Sequence, residues 1–349
     1  MGRPAGSRRG AALARAVAVA AVLLALLIGW RLLWHGGGSP LVVYCAHDSV
    51  YSEEVLRDFE ARTGIPVAPK FDTEATKSLG LVEQIKREKA NPRCDVFWNN
   101  ELLGTLDLKE EGVLEPYKGE GYARIPEAFR DADGCWAGFG ARLRVYIINT
   151  DKMEATELAV ADMLAGDLSD VAIAKPLYGT TLTHYSVLWD RWGGERLKEW
   201  HADCRRRGVV EGGGNAQVKN LVAAGTCALG YTDTDDYFLA RDDGLPVEVL
   251  PVRLEDGAVI AIPNTVSIIR GTKRLTEAQQ LVDYLLSAEC ELRLANARSR
   301  QVPLGPVEDE GIPEAVRALK TWAKDGVPLT ALGPARDACL AWLKEEYVQ

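Results

Sequence analysis

Short apolar runs and amphipathic stretches alternate along the chain from residue 41 onward. The apolar runs have the length of buried strands, and the stretches between them carry apolar residues at helical spacing. The predicted strands are 41–45, 65–71 and 94–98, and the predicted helices are 52–62, 79–89 and 101–111. Such an alternation is typical of a parallel sheet with right-handed crossovers. We therefore expect an α/β fold for this part of the chain.

Two longer apolar stretches, 136–149 and 258–269, differ from these short strands, and Pro263 interrupts the second. Between and after them, strands are predicted at 172–174 and 227–231, and helices at 181–192, 195–207, 215–224, 276–288, 313–324 and 335–346. Long strands that each connect two α/β blocks predict two lobes joined by two crossing segments. The predicted lobes are 40–143 with 264–349, and 144–263. A ligand would bind between them, at the carboxyl ends of strands.

The N-terminal region has the composition of a targeting segment. Residues 16–34 form an apolar run that only Arg31 interrupts, and four arginines precede it. The run is long enough to span a membrane, and basic residues before it favour translocation of the rest of the chain. We expect residues 1–39 to be an uncleaved membrane anchor, with a cleaved signal peptide as the alternative. Both predict a periplasmic or other extracytoplasmic location, and the anchor would tether the chain to the inner membrane through 16–34.

Composition narrows the classes of ligand. The chain has 349 residues, of which 47% are hydrophobic, enough for about two folded domains. Beyond residue 40 there are 36 lysines and arginines and 50 aspartates and glutamates. This acidic excess argues against nucleic-acid binding, because a phosphate backbone attracts the opposite charge. The seven cysteines include no CxxC pair, so buried thiols are expected rather than a zinc site.

Two polar segments follow predicted strands and could contact a ligand. Thr232–Asp236 carries three carboxylates, which would attract a metal cation or an ammonium group, although helix capping explains the same run without a ligand. Gly179-Thr180-Thr181 begins a helix, and the N–H groups at that end suit an anion. A plain helix cap explains this segment equally well.

Two loops before helices are further candidates. The loop 72–77 places Thr73 and Thr76 at a helix entry, where ligand contact and helix capping are both compatible with the sequence. Gly212-Gly213-Gly214-Asn215 lacks the lysine and hydroxyl residue of a P-loop, so it predicts a flexible loop that brings Asn215 to the cleft.

Four segments, in this order, carry a resemblance to a known family: VVYCAHDSVYSEEVLRDFEARTGIPV, CDVFWNNELLGTLDLKEEGVLEP, ARLRVYIINTDK and GTCALGYTDTDD. They are similar to the ferric-ion-binding branch of the bacterial extracellular solute-binding proteins, the capture subunits of ABC importers. The resemblance implies a two-lobed periplasmic-binding-protein (type II) fold that closes on its ligand about a hinge. It also implies an ABC permease and ATPase as partners, and no catalysis.

The resemblance implies a metal side and an anion side of the ligand site. The first metal ligand falls in the loop that contains His47 and Asp48, and a second falls on Asn100, with Glu101 next to it. The synergistic anion would rest on the helix that begins at Gly179. The two adjacent tyrosines that define the family's iron site are replaced here by Thr234 and Asp235, so that tyrosinate site is missing.

These observations predict a protein that captures ferric iron with a synergistic anion as cargo and holds no resident cofactor. The predicted metal ligands are Asp48, His47, Glu101, Asp233 and Asp235. The further predicted ligand contacts are Arg142, Thr73, Thr76, Gly179, Thr180, Thr181, Asn215, Thr232, Asn99 and Asn100. A zwitterionic organic anion such as an amino-phosphonate is the second predicted ligand, and it suits the lost tyrosines. The sequence is also compatible with a sensor ectodomain, and with an enzyme on the same scaffold that uses a carboxylate of Thr232–Asp236 as acid or base.

Overall fold

The computed structural model describes residues 39–47, 49–72 and 79–347. The strands in those ranges are β1 Leu41–Cys45, β2 Val67–Phe71, β3 Val96–Asn99, β4 Leu114–Glu115, β5 Ala137–Asn149, β6 Val171–Ala174, β7 Val210–Gly212, β8 Leu229–Asp233, β9 Val247–Pro251 and β10 Ala261–Ile269. The helices are α1 Ser49–Thr63, α2 Leu79–Arg87, α3 Leu103–Glu110, α4 Glu120–Arg124, α5 Glu157–Ala165, α6 Gly179–Trp192, α7 Gly194–Arg206, α8 Asn215–Ala223, α9 Thr234–Asp242, α10 Leu275–Leu285, α11 Ala288–Asn296, α12 Glu314–Ala323 and α13 Gly333–Tyr347.

The strands form one mixed sheet with a parallel block at each end. The strand order is β2-β1-β3-β10-β5-β8-β6-β7, with β4 on β10 and β9 on β5. Strand β1 pairs in parallel with β2 and β3, and β6 pairs in parallel with β7 and β8. The first lobe is built on β1–β3 and the second lobe on β6–β8. This mixed two-lobed α/β architecture confirms the predicted fold class.

Strand β5 connects the two lobes because it changes partners along its length. Its first half, up to Leu143, pairs with β10, and its second half, from Arg144, pairs with β8. The register with β10 shifts beside Pro263, where Gly140 is the extra residue of a β-bulge. Gly140 has φ +50°, a left-handed conformation that glycine adopts without strain. The predicted interruption at Pro263 is therefore wrong, because the bulge accommodates the proline within a continuous β10.

The C-terminal helix α13 contacts both lobes. Its Arg336 forms an ion pair with Asp107 of α3, at 3.3 Å. Further along, the ring of Trp342 lies 5.9 Å from that of Trp189 on α6. The end of α13 therefore packs against the second lobe, while its beginning is held by the first.

Most predicted elements are present, with ends shifted by a few residues. The missed elements are β4, α4, β7, α5, β9 and α11. The first three are too short to show a period, and α11 is merged into the predicted helix 276–288. A single turn separates α10 from α11, because the Ser287 hydroxyl accepts the N–H of Cys290 and begins a new helix.

All seven cysteines lie within the described residues, and all are thiols; six are buried and Cys204 is half-buried. This confirms the predicted buried thiols. The predicted anchor or signal at 16–34 lies outside the described residues. Among the residues that the structure describes, no helix combines the length and apolar character needed to cross a membrane.

Candidate ligand-binding cleft

A cavity of about 560 Å³ lies where the carboxyl ends of β6 and β8 meet the crossing strand β5. Its volume is within the range of sites for small organic molecules. The N-termini of α6, α8 and α9 lie around it, and Asn100 reaches it from the first lobe. The charged and polar lining side chains are Asn100, Arg142, Lys175, Tyr178, Thr180, Thr181, Asn215, Gln217, Lys219, Asp233, Asp235 and Asp236.

A buried ion pair lies at the floor of this cavity, where Asp233 is part of the lining and Arg144 is not. Arg144 and Asp233 are directly opposite each other on β5 and β8, and Arg144 Nη1 donates to Asp233 Oδ1 at 2.8 Å. Arg144 has no exposed surface, and Asp233 is 3% exposed. Asp233 occupies the capping position of α9, yet its carboxylate makes no capping bond there. The carboxylate instead accepts hydrogen bonds from Arg144 and from residues of helices α6 and α8.

Those two helices contribute Thr180 and Asn215. The Thr180 hydroxyl donates to Asp233 Oδ2, and Asn215 Nδ2 donates to the same oxygen at 2.9 Å. Asn215 Oδ1 accepts from the Thr181 hydroxyl at 3.0 Å. These bonds fix the first turns of α6, α8 and α9 relative to one another. Four predicted ligand residues, Thr180, Thr181, Asn215 and Asp233, therefore meet at one place.

The N-terminus of α6 is open toward the cavity. Gly179 is its first residue, with φ +61°, and a Cβ added there would meet no atom within 4 Å. The first N–H groups of a helix have no partner inside the helix, and the helix dipole makes that end attractive to anions. Tyr178 precedes Gly179, is 36% exposed and lines the cavity.

Arg142 and Asp235 form a second charge pair within the cavity wall. Arg142 Nε lies 3.6 Å from Asp235 Oδ2, and Arg142 Nη2 donates to Asn264 Oδ1 at 3.3 Å. Arg142 is 6% exposed, so its charge acts in a poorly solvated place. The sequence singled out both Arg142 and Asp235, and the structure brings them together.

Asp236, the next residue, carries a carboxyl group whose pKa is raised. Burial and the neighbouring charge of Asp235 raise the pKa of Asp236 to about 7, although a hydrogen bond from the Thr232 hydroxyl (2.7 Å) acts in the opposite direction. Thr232 is fully buried and supports Asp236 from below rather than lining the cavity. The structure therefore places Thr232, a predicted ligand contact, behind the cavity lining.

The first-lobe residues are divided between cavity and core. Asn100 lines the cavity. Asn99 is fully buried and donates to Glu101 at 3.2 Å, and Glu101 accepts the N–H groups of Leu103 and Gly104 at the start of α3. Burial raises the pKa of Glu101, and those N–H groups oppose the rise. Glu101 therefore accepts the first N–H groups of α3, Asn99 supports Glu101, and neither residue lines the cavity.

His47 lies behind Arg142, at the junction of the first lobe and the crossing strands. Its ring packs 5.3 Å from the ring of Trp98. The side-chain oxygen of Gln301 accepts hydrogen bonds from His47 Nε2 (2.6 Å) and from Arg142 Nη2 (3.3 Å). His47 therefore supports Arg142 through Gln301 and is absent from the cavity lining.

Three predicted contacts, Asp48, Thr73 and Thr76, lie outside the described residues. Among the residues that are described, no group of three or more histidine, cysteine, aspartate or glutamate side chains is arranged to hold a metal ion. Sequence reasoning missed Lys175 and Lys219, which line the cavity, because nothing in their local sequence sets them apart from surface lysines. It did not select Arg144 as a site residue. Residues two apart on a strand share a face, so the spacing placed Arg144 on the same face as Arg142.

The fold and this cleft define a two-lobed binding protein that encloses a small solute. The family model of the bacterial extracellular solute-binding proteins matches residues 41–295. The chain belongs to this family. The resemblance recognised in the sequence is confirmed.

Relatives and solved structures agree with this assignment. The chain is 34% identical to iron uptake protein A1 of Synechocystis over 154 residues, which are 40% of this chain and 42% of that protein. Iron-bound HitA from Pseudomonas aeruginosa superposes with a TM-score of 0.75 at 21% identity, over 89% of this chain and all of HitA. AfuA from Actinobacillus pleuropneumoniae, with bound fructose-6-phosphate, superposes with a TM-score of 0.72 at 18% identity, over 89% and 99% of the two chains.

Proposed function

We propose that this protein is the solute-binding component of an ABC importer for a small organic anion that also carries an amine, such as an amino-phosphonate. The observation that carries the proposal is the composition of the cavity wall, in which an anion-binding side and a carboxylate side lie within one enclosed space. Such a wall complements a zwitterion better than it complements a bare metal ion.

The anion would bind at the start of α6. Gly179 and Thr180 offer backbone N–H groups at the positive end of that helix, and Lys175 and Lys219 line the same cavity. Arg142 adds a guanidinium that binds a phosphonate or carboxylate through charge-assisted hydrogen bonds. The solved AfuA structure holds a phosphorylated ligand on the same fold, which supports an anion of this type.

The amine would bind at the start of α9. Asp235 and Asp236 are adjacent carboxylates that line the cavity and repel each other, and this repulsion contributes to the raised pKa of Asp236. An ammonium group placed between them would relieve that repulsion. Asp233 does not serve this purpose, because Arg144 already neutralises it.

Ferric iron with a synergistic anion is the second candidate ligand. It is favoured by the likeness to iron uptake protein A1 and by the fold shared with iron-bound HitA. The metal would use Asp235 with residues near His47 and Asp48, and the anion would occupy the start of α6. Against it stand the replacement of the tyrosine pair by Thr234 and Asp235 and the withdrawal of Glu101 into a helix cap.

An importer needs a membrane permease and an ATPase as partners, and we propose both for this chain. The relative named a probable ABC transporter periplasmic-binding protein in Sinorhizobium fredii, 24% identical over 77% of each chain, supports that role. We further propose that residues 16–34 hold the protein at the inner membrane and that the lobes close about β5 near Leu143 and Arg144.

The test is a ligand panel on the full-length chain purified in mild detergent and stripped of metal. Thermal unfolding is followed with 2-aminoethylphosphonate, phosphoethanolamine, fructose-6-phosphate, ferric citrate and ferric iron with carbonate. A ligand at about 100 times its Kd adds about 2.7 kcal/mol, which shifts the Tm by several degrees. A shift with the amine-bearing anions supports the proposal. A shift with ferric iron alone would replace it with the second candidate.

A further inference from the structure

Arg144 is the most completely buried charged group near the cavity, and it does not line the cavity itself. One of its nitrogens, Nη1, contacts three elements at once: Asp233 at 2.8 Å, Asn215 Oδ1 at 3.2 Å and Thr180 Oγ1 at 3.4 Å. Its Nε and Nη2 have no hydrogen-bond partner within the part of the chain that the structure describes. Burial of a guanidinium destabilises the folded protein unless an opposite charge compensates it. For Arg144 the compensating charge is the carboxylate of Asp233.

Asp233 lies where a negative charge would oppose an anion. Asp233 is part of the cavity lining, and its carboxylate accepts from Thr180 in the first turn of α6, where the anion would bind. An uncompensated unit charge about 7 Å from an anion in a medium of effective dielectric near 20 weakens binding by roughly tenfold to a hundredfold. The three helix N-termini can attract an anion only if this carboxylate is neutralised.

We propose that Arg144 is a positioning residue for the ligand: by neutralising Asp233 from below, it makes the junction of α6, α8 and α9 receptive to an anion. This inference rests on the proposed function. It assigns to Arg144 a part in anion affinity that it exerts through Asp233, Thr180 and Asn215, without touching the ligand.

Two more features of the structure fit this role. Arg144 and Asp233 are paired across β5 and β8, so the neutralising charge is fixed by the sheet and does not depend on a mobile side chain. His184 lies close enough for the charge of Arg144, together with burial, to lower its pKa to about 3. His184 therefore stays neutral and adds no second positive charge, so the carboxylate of Asp233 suffices to compensate Arg144.

The test compares affinity for inorganic phosphate, measured by titration calorimetry, in the full-length chain and three variants. Arg144→Met should weaken phosphate binding by at least roughly tenfold, because Asp233 is then uncompensated. Adding Asp233→Asn in the double variant should restore most of that loss. Asp233→Asn alone should tighten phosphate binding, because the charge of Arg144 is then no longer cancelled, and this arm remains informative if Arg144→Met does not fold. Lys152→Met, which removes an ion pair with Asp170 at the far end of β5, is the matched control and should leave affinity unchanged.

A purely structural role for Arg144 predicts the opposite pattern. The double variant would then bind phosphate no better than Arg144→Met, and Asp233→Asn alone would weaken binding, since the bonds to Thr180 and Asn215 would be disturbed. Either result overturns the inference. If the wild-type chain binds phosphate but gives no heat with 2-aminoethylphosphonate, the proposed ligand fails while this inference stands. If the wild-type chain binds no phosphate at all, this inference fails, and the ligand panel alone decides the proposed function.

Discussion

The carboxylate of Glu291 accepts the backbone N–H of Gly140 at 3.1 Å, so helix α11 holds the bulge at which the crossing strand β5 bends. Glu291 has no exposed surface, and its other partners are the N–H groups of Leu304 and Gly305 and the guanidinium of Arg124. These four donors satisfy both oxygens of a carboxylate that water does not reach. The geometry of the connection between the lobes therefore depends on one glutamate distant from the ligand.

Replacing Glu291 by Ala should destabilise the protein strongly. The substitution leaves Arg124 without its buried partner and three N–H groups without an acceptor, at a cost of about 3–5 kcal/mol. The measurement is the urea midpoint of unfolding. Glu289→Ala is the matched control, because Glu289 pairs with Arg62 on the exposed surface and should cost less than about 1 kcal/mol. Equal losses in the two variants would contradict the role given to Glu291.

Gly140→Ala tests whether the bulge needs a glycine. At φ +50° an added Cβ would lie 2.7 Å from the Gln301 amide and 3.1 Å from Leu294, so both strain and crowding are expected, at roughly 2–4 kcal/mol. Gly64→Ala separates the two effects. Gly64 has φ +69° with no atom within 4 Å of an added Cβ, so it should cost only about 1 kcal/mol. A Gly140→Ala protein as stable as Gly64→Ala would show that the neighbours of Gly140 move aside freely.

Arg142→Met should weaken binding of the anionic ligand found in the panel. The loss of a charge-assisted hydrogen bond in a poorly solvated place corresponds to about 1.5–3 kcal/mol, or roughly tenfold to a hundredfold in Kd. Calorimetric titration gives the value. Arg270→Met, at an exposed arginine of the first lobe that pairs with Glu115, should bind like the wild-type protein. An unchanged Kd for Arg142→Met would remove Arg142 from the site.

The pH dependence of stability should carry a contribution from His184. Burial and the charge of Arg144 lower the pKa of His184 to about 3, against about 6.5 in the unfolded chain. Between these values the unfolded chain binds a proton that the folded protein does not, so stability falls as the pH falls. From pH 7 to pH 5 the loss attributable to His184 is about 2 kcal/mol.

His184→Gln should flatten this part of the curve. The measurement is the difference between urea midpoints at pH 7 and pH 5 for variant and wild type. Asn220→Gln, at an exposed amide of the same lobe, should keep the wild-type difference. A His184→Gln protein with the full wild-type pH dependence would mean that His184 is protonated as easily in the folded protein as in the unfolded chain.

The sequence by itself determined the elements and much of the second-lobe site. Strands such as 41–45 and helices such as 79–87 follow from local apolar spacing, which is independent of the rest of the fold. The start of α6 at Gly179 and the acidic start of α9 were recognisable, because helix N-termini have local signals. The family was also recognisable, from ordered segments that span both lobes.

Only the tertiary structure decided which polar residues reach the cavity. Asn99, Asn100 and Glu101 are adjacent in sequence, yet of these three only Asn100 lines the cleft, since Glu101 accepts N–H groups of the first turn of α3 and Asn99 donates to Glu101. Lys219 lines the cavity because α8 packs beside α9, a long-range contact that leaves no local pattern. The pairing of Arg144 with Asp233 required the register of β5 and β8. Neighbours in space are set by strand pairing and helix packing, and one local window of sequence does not encode them.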